Sequence, residues 1–329
     1  MFQKETFNKA QQESEELARI ALRLIPETWG EDVKSFGDLV GIVKDGLFLT
    51  GTIDGVGTKI LIAEKLNSYY QLGVDAVYSN VNDLVRFGVE PKMAFPIISL
   101  GSKQEDKMRD LAFGITCATR EVGVSIIGGE TEVLRRVFAT PKRINVAVAI
   151  FGWNETSKLI TRENLKSGDV LFGLPSSGLH TNGFSEIIKK LHKIDFNKLL
   201  LPNSQFSANT VGRWLTEPTK NYLPVMTMLR NHNIKIKAAE AVTGGGFTER
   251  LSKLLANTNL RVDFEENSWT QPPIFQYLQD KFKWSTEKMY QTFNMGIGMF
   301  LIVAKSGVKR VFDVAEEEKM TIFQIGELK

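Results

Sequence analysis

Apolar and polar residues follow alternating strand-like and helical patterns along most of the first half of the chain. LFLTGTID, from Leu47, predicts a strand, and TKILIAEKL after it predicts a helix. Helices are also predicted from Phe7 to Ile25, from Gln71 to Gly88 and from Gln104 to Val122, where apolar residues repeat at helical spacing. MAFPIISLG, VSIIGGET and INVAVAIFG predict strands, and we expect VSIIGGET to end in its glycines. This alternation is typical of α/β proteins.

The second half uses the same elements after a break at residues 164–169 (NLKSGD). VLFGLP begins a new strand there, and NLRVDF and GIGMFLIVA predict later strands. Helices are predicted from Phe184 to Ile194 and from Phe247 to Leu255, each just after a glycine-rich loop. We therefore expect two α/β domains, residues 1–166 and 167–329, because 329 residues is about twice a common domain length.

Composition excludes several classes of protein. The formal charge of +3, from 41 basic and 38 acidic side chains, is too small to attract nucleic acid strongly. We expect a cytoplasmic protein with no membrane segment, because the N-terminus is polar and no apolar run reaches the length of a membrane helix. The single Cys117 excludes an intrachain disulfide, and three scattered histidines argue against a histidine-rich metal site.

Four glycine-rich turns carry the first indication of function. Glycine lets backbone N–H groups approach phosphate oxygens closely, and a helix that follows adds its positive N-terminal end. Any one such turn is more often a structural turn than a phosphate site, but four together favour phosphate binding. They are Asp54-Gly55-Val56-Gly57-Thr58-Lys59, Gly128-Gly129-Glu130-Thr131, Ser176-Ser177-Gly178 and Thr243-Gly244-Gly245-Gly246. Walker A, protein-kinase and GxGxxG patterns are absent from the sequence.

Carboxylates at the predicted strand ends and on one helix predict a magnesium site. Asp54 and Glu130 are expected at strand ends, and Asp83 lies on the polar stripe of the helix from Gln71, next to Asn82. Asp75, two turns earlier, is expected either to join them or to orient them. Magnesium prefers oxygen ligands and binds through a few carboxylates together with nucleotide phosphates.

One histidine lies in a loop suited to chemistry. His180 follows the Ser176-Ser177-Gly178 turn, whereas His192 and His232 lie in amphipathic helical segments and are expected at the surface. A hydrolase triad is not supported, because the sequence has no G-x-S-x-G motif.

Six motifs occur in the order found in one enzyme family. They are DGVGTK (54–59), VNDLV with GVEP (81–85, 88–91), GGET (128–131), SSGLHTNGFS (176–185), TGGGF (243–247) and MYQTFNMGIGM (289–299). In these motifs the chain resembles phosphoribosylformylglycinamidine cyclo-ligase, also called aminoimidazole ribonucleotide synthetase. Two segments depart from the family pattern: EVLRRVF (132–138) follows GGET where AEMPGMY is usual, and Asp38 stands where a small residue is usual.

The resemblance implies a homodimer that pairs strands of its N-terminal domains, with a mixed sheet covered by helices in each domain. It implies ATP and Mg²⁺ as cofactors, with Mg²⁺ held by Asp54, Asp83 and Glu130. The nucleotide region would comprise Asp54, Gly55, Gly57, Thr58, Asp75, Asn82, Asp83, Gly128, Gly129, Glu130 and Thr131. The substrate region would comprise Ser176, Ser177, Gly178, His180, Asn182, Thr243, Gly244, Gly245 and Gly246, and the catalytic groups would be His180, Lys59 and Asn182, with Lys59 near phosphate.

The implied reaction is ATP-dependent closure of formylglycinamidine ribonucleotide to aminoimidazole ribonucleotide, in which His180 either moves a proton or donates a fixed hydrogen bond. Two alternatives stay open. One is another ATP-dependent phosphoryl-transfer enzyme of the same superfamily, such as a small-molecule kinase. The other is a catalytically silent paralogue, although such a protein has no need to keep Asp54, Asp83, Glu130 and His180 together.

Overall fold

The computed structural model describes residues 33–36, 39–162, 164–201, 206–207, 209–256, 258–265 and 268–329. The strands are β1 (Val33–Phe36), β2 (Leu39–Lys44), β3 (Leu47–Gly55), β4 (Glu90–Leu100), β5 (Ser125–Ile126), β6 (Glu130–Val133), β7 (Ile144–Glu155), β8 (Val170–Pro175), β9 (Leu199–Leu200), β10 (Asn209–Thr210), β11 (Ile236–Ala241), β12 (Val262–Phe264), β13 (Ile297–Val303) and β14 (Phe323–Leu328).

The α-helices are α1 (Lys59–Leu66), α2 (Tyr69–Val85), α3 (Glu105–Glu121), α4 (Phe184–Lys189), α5 (Val211–Thr216), α6 (Leu223–Asn231), α7 (Gly246–Leu254), α8 (Pro273–Phe282), α9 (Thr286–Thr292) and α10 (Val308–Glu317). Short 3-10 helices span Thr156–Lys158, Leu191–Lys193 and Lys305–Gly307. In the described part of the chain, no helix is both long and apolar enough to cross a bilayer.

The first sheet is mixed and is covered by helices on one face. Its strand order is β1-β2-β3-β7-β4-β5, with β6 also paired to β4, and β4 is parallel to both β5 and β6. Asp45 and Gly46 join β2 to β3, and both have positive φ, as a two-residue hairpin turn requires. Helices α2 and α3 pack together over one face, where alternate residues of β7 such as Val146 and Val148 are fully buried.

The second sheet is covered on both faces. Its order is β11-β13-β8-β14-β12, and every pairing among the described strands is antiparallel. On β8, Phe172 belongs to a core that continues into the first domain, and Leu171 to a separate core beneath α7. Since both faces are buried, all seven residues of β13 are buried, which explains the unbroken apolar run in the sequence.

Most predicted elements are present with shifted ends, and three expectations need correction. The helix predicted to reach Ile194 is α4, which ends at Lys189 and is followed by a 3-10 turn. VSIIGGET is two strands with the glycines between them, so Glu130 begins a strand and does not end one. The second sheet is antiparallel where a mixed sheet was expected. The helix predicted from Phe7 to Ile25 and the departure at Asp38 lie outside the described residues.

Candidate active site

Asp54 lies at the end of β3, immediately before the first glycine turn, as predicted. Its Oδ1 accepts a hydrogen bond from the Gly55 backbone N–H at 2.8 Å. Its backbone oxygen accepts one from Asn80 Nδ2 at 3.2 Å. The strand end is therefore tied to helix α2, while the side chain of Asp54 is exposed to solvent.

Asp83 on α2 forms an acidic pair with Asp54. Its side chain is 27% exposed, and its Oδ1 lies 3.3 Å from Arg86 Nε. Burial raises the pKa of Asp83, Arg86 opposes this, and the charge of Asp54 raises it further. Although the Asp54 side chain is accessible to solvent, the surrounding protein partly desolvates its carboxylate and raises its pKa, against the Gly55 hydrogen bond and the charge of Arg250. A bound divalent cation would relieve the repulsion within this pair of hard oxygen ligands, so the pair fits Mg²⁺.

Glu130 does not join this pair, contrary to the prediction. Asp54 pairs with Val148 of β7, Val148 pairs with Pro96 of β4, and the next residue, Ile97, pairs with Glu130 of β6. Three steps between strands place the backbones of the two residues roughly 14 Å apart. Glu130 is exposed, and its Oε1 accepts the Thr131 N–H at 2.9 Å.

The other residues of the GGET turn share that distant position. Gly128, Gly129 and Thr131 are exposed and lie beside Glu130 at the β5–β6 edge of the first sheet. Among the described residues, no group of three or more Asp, Glu, His or Cys side chains is arranged to hold a metal. The protein would thus supply two carboxylates to Mg²⁺, with phosphate oxygens or water completing the shell.

The first and fourth glycine-rich turns, together with the residues that follow the third, line one cavity between the domains, of about 210 Å³. Its walls include Gly57 and Thr58 of the first turn, residues 181–186 of the SSGLHTNGFS segment, Gly244 and Gly245 of the TGGG turn, and Lys288, Gln291 and Thr292 of α9. Thr58 Oγ1 and Ser185 Oγ are 3.0 Å apart, so the turns of the two domains are joined directly. Backbone N–H groups and a lysine around a small cavity suit a phosphate group.

The cavity contains a glycine turn of positive φ at Gly245 and a buried amide at Asn182. Gly245 has φ of +87°, a conformation that a side chain would strain, and it directly precedes α7. Thr243 accepts the Gly246 N–H at 3.0 Å, which closes the turn. Asn182 Nδ2 is buried at the cavity and has no hydrogen-bond partner among the described residues. An amide donor without an acceptor is available to a ligand oxygen.

Lys59 does not point into this cavity, although the sequence placed it near phosphate. It is 2% exposed, and its Nζ lies 2.7 Å from Asp75 Oδ2 and donates to the Glu217 backbone oxygen at 2.7 Å. Asp75 is fully buried and also accepts the N–H and the hydroxyl of Thr219, both at 2.8 Å. Lys59 and Asp75 therefore form a buried ion pair within the first domain, and this pair binds Glu217 and Thr219 of the second domain. Asp75 takes no part in the acidic pair.

Asn82 belongs to the same interdomain contact. Its Nδ2 donates to the Lys220 backbone oxygen at 2.8 Å, and its Oδ1 accepts the Tyr222 N–H at 3.0 Å. The polar residues of α2 therefore have two different roles. Asp75 and Asn82 bind residues 217–222, whereas Asp83 lies one turn after Asn80, which contacts the Asp54 backbone, and is close enough to Asp54 for their charges to interact.

His180 is a buried, neutral residue in a left-handed conformation. It has φ of +59° and is 3% exposed. Its Nε2 accepts long hydrogen bonds from the backbone N–H groups of Ser177, at 3.4 Å, and Lys220, at 3.5 Å. Burial lowers the pKa of His180 to about 3, and the charges of Lys59 and Lys220 act in the same direction. Since the acceptor nitrogen faces the backbone, this geometry does not support a role in proton transfer.

The Ser176-Ser177-Gly178 turn is held mainly by its own protein contacts. Ser176 Oγ donates to Asn294 Oδ1 at 3.1 Å, and Asn294 Nδ2 donates to the Gly178 oxygen at 2.8 Å. Ser177 Oγ donates to the Pro218 oxygen at 2.5 Å. These residues therefore shape the loop that carries Asn182, and they do not line the 210 Å³ cavity.

A cluster of arginines around Glu240 was not predicted. Glu240 is completely buried on β11 and binds Arg86, Arg162 and Arg250. The available signal in the sequence was one acidic residue in the apolar strand segment AAEAV (238–242).

Two family models match nearly the whole described chain. The model for the N-terminal domain of AIR synthase related proteins matches residues 37–153, and that for the C-terminal domain matches residues 166–329. The chain belongs to the AIR synthase related family. It is 34% identical over 301 residues to the phosphoribosylformylglycinamidine cyclo-ligase of Limosilactobacillus reuteri, which covers 90% of this chain and 86% of that protein.

Solved structures with the same fold come from proteins of much lower identity. A HypE–HypF complex gives a TM-score of 0.65 at 15% identity, covering 94% of this chain and 92% of that one. The thiamine-monophosphate kinase of Stenotrophomonas maltophilia gives a TM-score of 0.63 at 16% identity, with coverage of 94% and 92%. These similarities show that the AIR synthase fold is shared, and they carry no argument about substrate.

Proposed function

We propose that this chain converts formylglycinamidine ribonucleotide to aminoimidazole ribonucleotide, using ATP and releasing ADP and phosphate. The observation that carries the proposal is the 34% identity to a phosphoribosylformylglycinamidine cyclo-ligase over 90% of the chain. Similarity of that extent spans both halves of the protein, and hence both sides of the interdomain cavity.

The reaction requires activation of the formamide carbonyl of the substrate, which is a poor electrophile. Transfer of the γ-phosphoryl group to the formamide oxygen releases ADP and creates a leaving group at that carbon. The amidine nitrogen then attacks the carbon, loses a proton, and phosphate departs as the ring closes. Phosphoryl transfer depends on positioning and on neutralising charge, which fits a site without a protein nucleophile.

The residues of this chain take four roles in the proposal. Asp54 and Asp83 hold Mg²⁺, which when bound neutralises charge on phosphate oxygens. The turns at Gly57 and Gly245 hold phosphate through backbone N–H groups, and Asn182 donates from its free amide. Lys59 joins the domains beside the first turn and does not contact phosphate. His180 fixes the loop that presents Asn182.

A direct assay tests the reaction. Purified protein with formylglycinamidine ribonucleotide, ATP and Mg²⁺ should form aminoimidazole ribonucleotide together with ADP and phosphate, and an Asp54→Asn variant should lose most of this turnover. Consumption of ATP with a phosphorylated product and no ring closure would instead identify a small-molecule kinase. No consumption of ATP under conditions where the protein is folded would refute an enzymatic role with this substrate.

We further infer that the chain forms a homodimer through the face of its first sheet opposite α2 and α3, here called the open sheet face. Within the part of the chain that the structure describes, helices cover only one side of that sheet, and large apolar side chains on the other side are exposed. They are Val40, Ile42, Leu47, Leu49, Ile53, Ile97 and Phe151. They alternate along neighbouring strands, so they form a continuous apolar surface, and surfaces of this kind mark protein interfaces. A second copy of the same chain would bury it symmetrically.

Light scattering tests the dimer. Wild-type protein should have about twice the chain mass of 36.9 kDa. Leu49→Glu, which places a charge where the side chain is 43% exposed, should yield a folded monomer. Val137→Glu is the matched control, because Val137 is 72% exposed in the loop after β6 and is not one of the residues of the open sheet face. A wild-type monomer at micromolar concentration, or a dimer unaffected by Leu49→Glu, would contradict the inference.

A further inference from the structure

We propose that Glu240 is a positioning residue that limits how far two arginines neutralise the Asp54–Asp83 pair, and so sets the affinity of that pair for a divalent cation. The inference rests on the function proposed above, because it takes Asp54 and Asp83 as the Mg²⁺ ligands. Glu240 itself does not contact the cation in this proposal. It acts through its partners.

Glu240 binds guanidinium groups from three separate parts of the chain. Arg86, which follows α2, places Nη1 2.5 Å from Glu240 Oε2. Arg250 on α7 places Nη1 3.2 Å from Oε1. Arg162, between the two sheets in sequence, binds Oε2 through Nη2. Both carboxylate oxygens are therefore occupied, and one buried acidic residue restrains three cations.

Two of these arginines also reach the candidate active site. Arg86 Nε lies 3.3 Å from Asp83 Oδ1, and Arg250 Nε donates to the Gly244 oxygen of the TGGG turn at 2.8 Å. The charge of Arg250 lowers the pKa of both Asp54 and Asp83. Arg162 shares the central carboxylate with these two arginines. Glu240 thus connects the acidic pair of one domain to the glycine turn of the other.

The charges of this cluster balance. Asp54, Asp83 and Glu240 supply three negative charges, and Arg86, Arg162 and Arg250 supply three positive ones. A Glu240→Gln substitution leaves an excess of one positive charge. It also releases the Arg86 and Arg250 guanidinium groups from Glu240, so that Arg86 can pair more fully with Asp83 and Arg250 can turn towards Asp54. Cation binding should weaken for both reasons, since Coulomb interactions between partly buried charges remain strong over several ångströms.

Substitution of Arg162 gives the opposite prediction. Arg162→Gln leaves the same cluster with an excess of one negative charge, while Arg86 and Arg250 keep their contact with Glu240. A divalent cation should then bind at least as tightly as in wild-type protein. A cluster that only stabilises the domain contact would behave differently, because the loss of either partner would lower the melting temperature without opposite effects on cation affinity.

Manganese binding measured by electron paramagnetic resonance, with a non-hydrolysable ATP analogue, tests the inference without relying on turnover. Mn²⁺ is a suitable probe because it takes the same oxygen ligands as Mg²⁺. We expect Glu240→Gln to weaken Mn²⁺ binding by about tenfold or more, Arg162→Gln to leave it unchanged or tighten it, and the double variant to restore it towards the wild-type value. Thermal melting of each variant confirms that it is folded.

The outcomes separate this inference from the proposed metal site. Wild-type protein that binds no Mn²⁺, or binds it equally after Asp54→Asn, refutes the site and with it the role of Glu240. Binding that depends on Asp54 but is unchanged in folded Glu240→Gln, or equally weakened by Glu240→Gln and Arg162→Gln, overturns the role of Glu240 alone. If Glu240→Gln does not fold, Arg162→Gln decides, and weaker binding in that variant overturns the inference.

Discussion

His180 offers a measurable test of whether a buried histidine holds the substrate loop. Its pKa of about 3 lies far below its ordinary value of 6.5, so the folded state excludes a proton that the unfolded chain binds. The free energy of unfolding is therefore unaffected by His180 well above pH 6.5, and it falls as the pH decreases from 6.5 towards 3. Linkage gives a loss of about 1.4 kcal/mol between roughly pH 7.5 and pH 5.5, because the difference in bound protons between the two states rises from about 0.1 to about 0.9 over this range.

The His180→Asn variant isolates that contribution from other titrating groups. Asparagine tolerates the left-handed conformation at this position and does not titrate. Urea unfolding of both proteins across this pH range should show the wild type losing about 1.4 kcal/mol more than the variant. Parallel pH profiles would refute the reasoning, since they would mean that His180 is solvated or protonated in the native state.

Turnover of the His180→Asn variant tests separately whether His180 takes part in catalysis. Because Nε2 of His180 accepts from the backbone, we expect kcat per folded molecule to stay within a few fold of the wild-type value. A loss of roughly 10²–10⁴ with an unchanged melting temperature would instead restore His180 as a general acid or base.

Three further changes test the interdomain contact and the metal site. Asp75→Asn should destabilise the protein by about 3–5 kcal/mol in urea unfolding, because it leaves the Lys59 ammonium buried without its charge partner. Lys305→Gln, which removes an exposed ion pair with Glu327, should cost less than about 1 kcal/mol in the same experiment and serves as its control. Asp54→Asn should weaken calorimetrically measured binding of Mg²⁺-nucleotide without lowering the melting temperature, and an unchanged affinity would remove it from the site.

Most helices, strands and turns could be predicted from the sequence, because each depends mainly on residues that are close together in the chain. The apolar face of α2 repeats at helical spacing, and the glycines of the turns follow strands, so both could be read from neighbouring residues. The end of α4 was missed because Lys190 leaves helical geometry while the segment remains amphipathic. GGET was misread because the glycines interrupt the strand, which places Glu130 after the break.

Roles that depend on distant segments could not be predicted. Asp75 and Asn82 are polar residues on a helix, and a polar stripe has the same pattern whether its partner is a metal or another part of the chain. Their partner segment, residues 217–222, begins more than a hundred residues later in the sequence. The convergence of three glycine-rich segments on one cavity also depends on domain docking, which no local pattern encodes.

A loss of activity in a Lys59 variant would have two explanations, because Lys59 lies at both the candidate active site and the contact between the domains. It directly follows Thr58, which lines the cavity and contacts Ser185, while its own ammonium holds Asp75 and the Glu217 backbone oxygen. Removing Lys59 would therefore loosen the first glycine turn and the domain contact together, and turnover would fall even if Lys59 never touches phosphate. A double-mutant cycle with Asp75 distinguishes the two readings. If the ion pair is the whole role of Lys59, the loss of nucleotide affinity caused by Lys59→Met should largely disappear in an Asp75→Asn background. If Lys59 contacts phosphate directly, Lys59→Met should reduce nucleotide affinity by the same factor in both backgrounds.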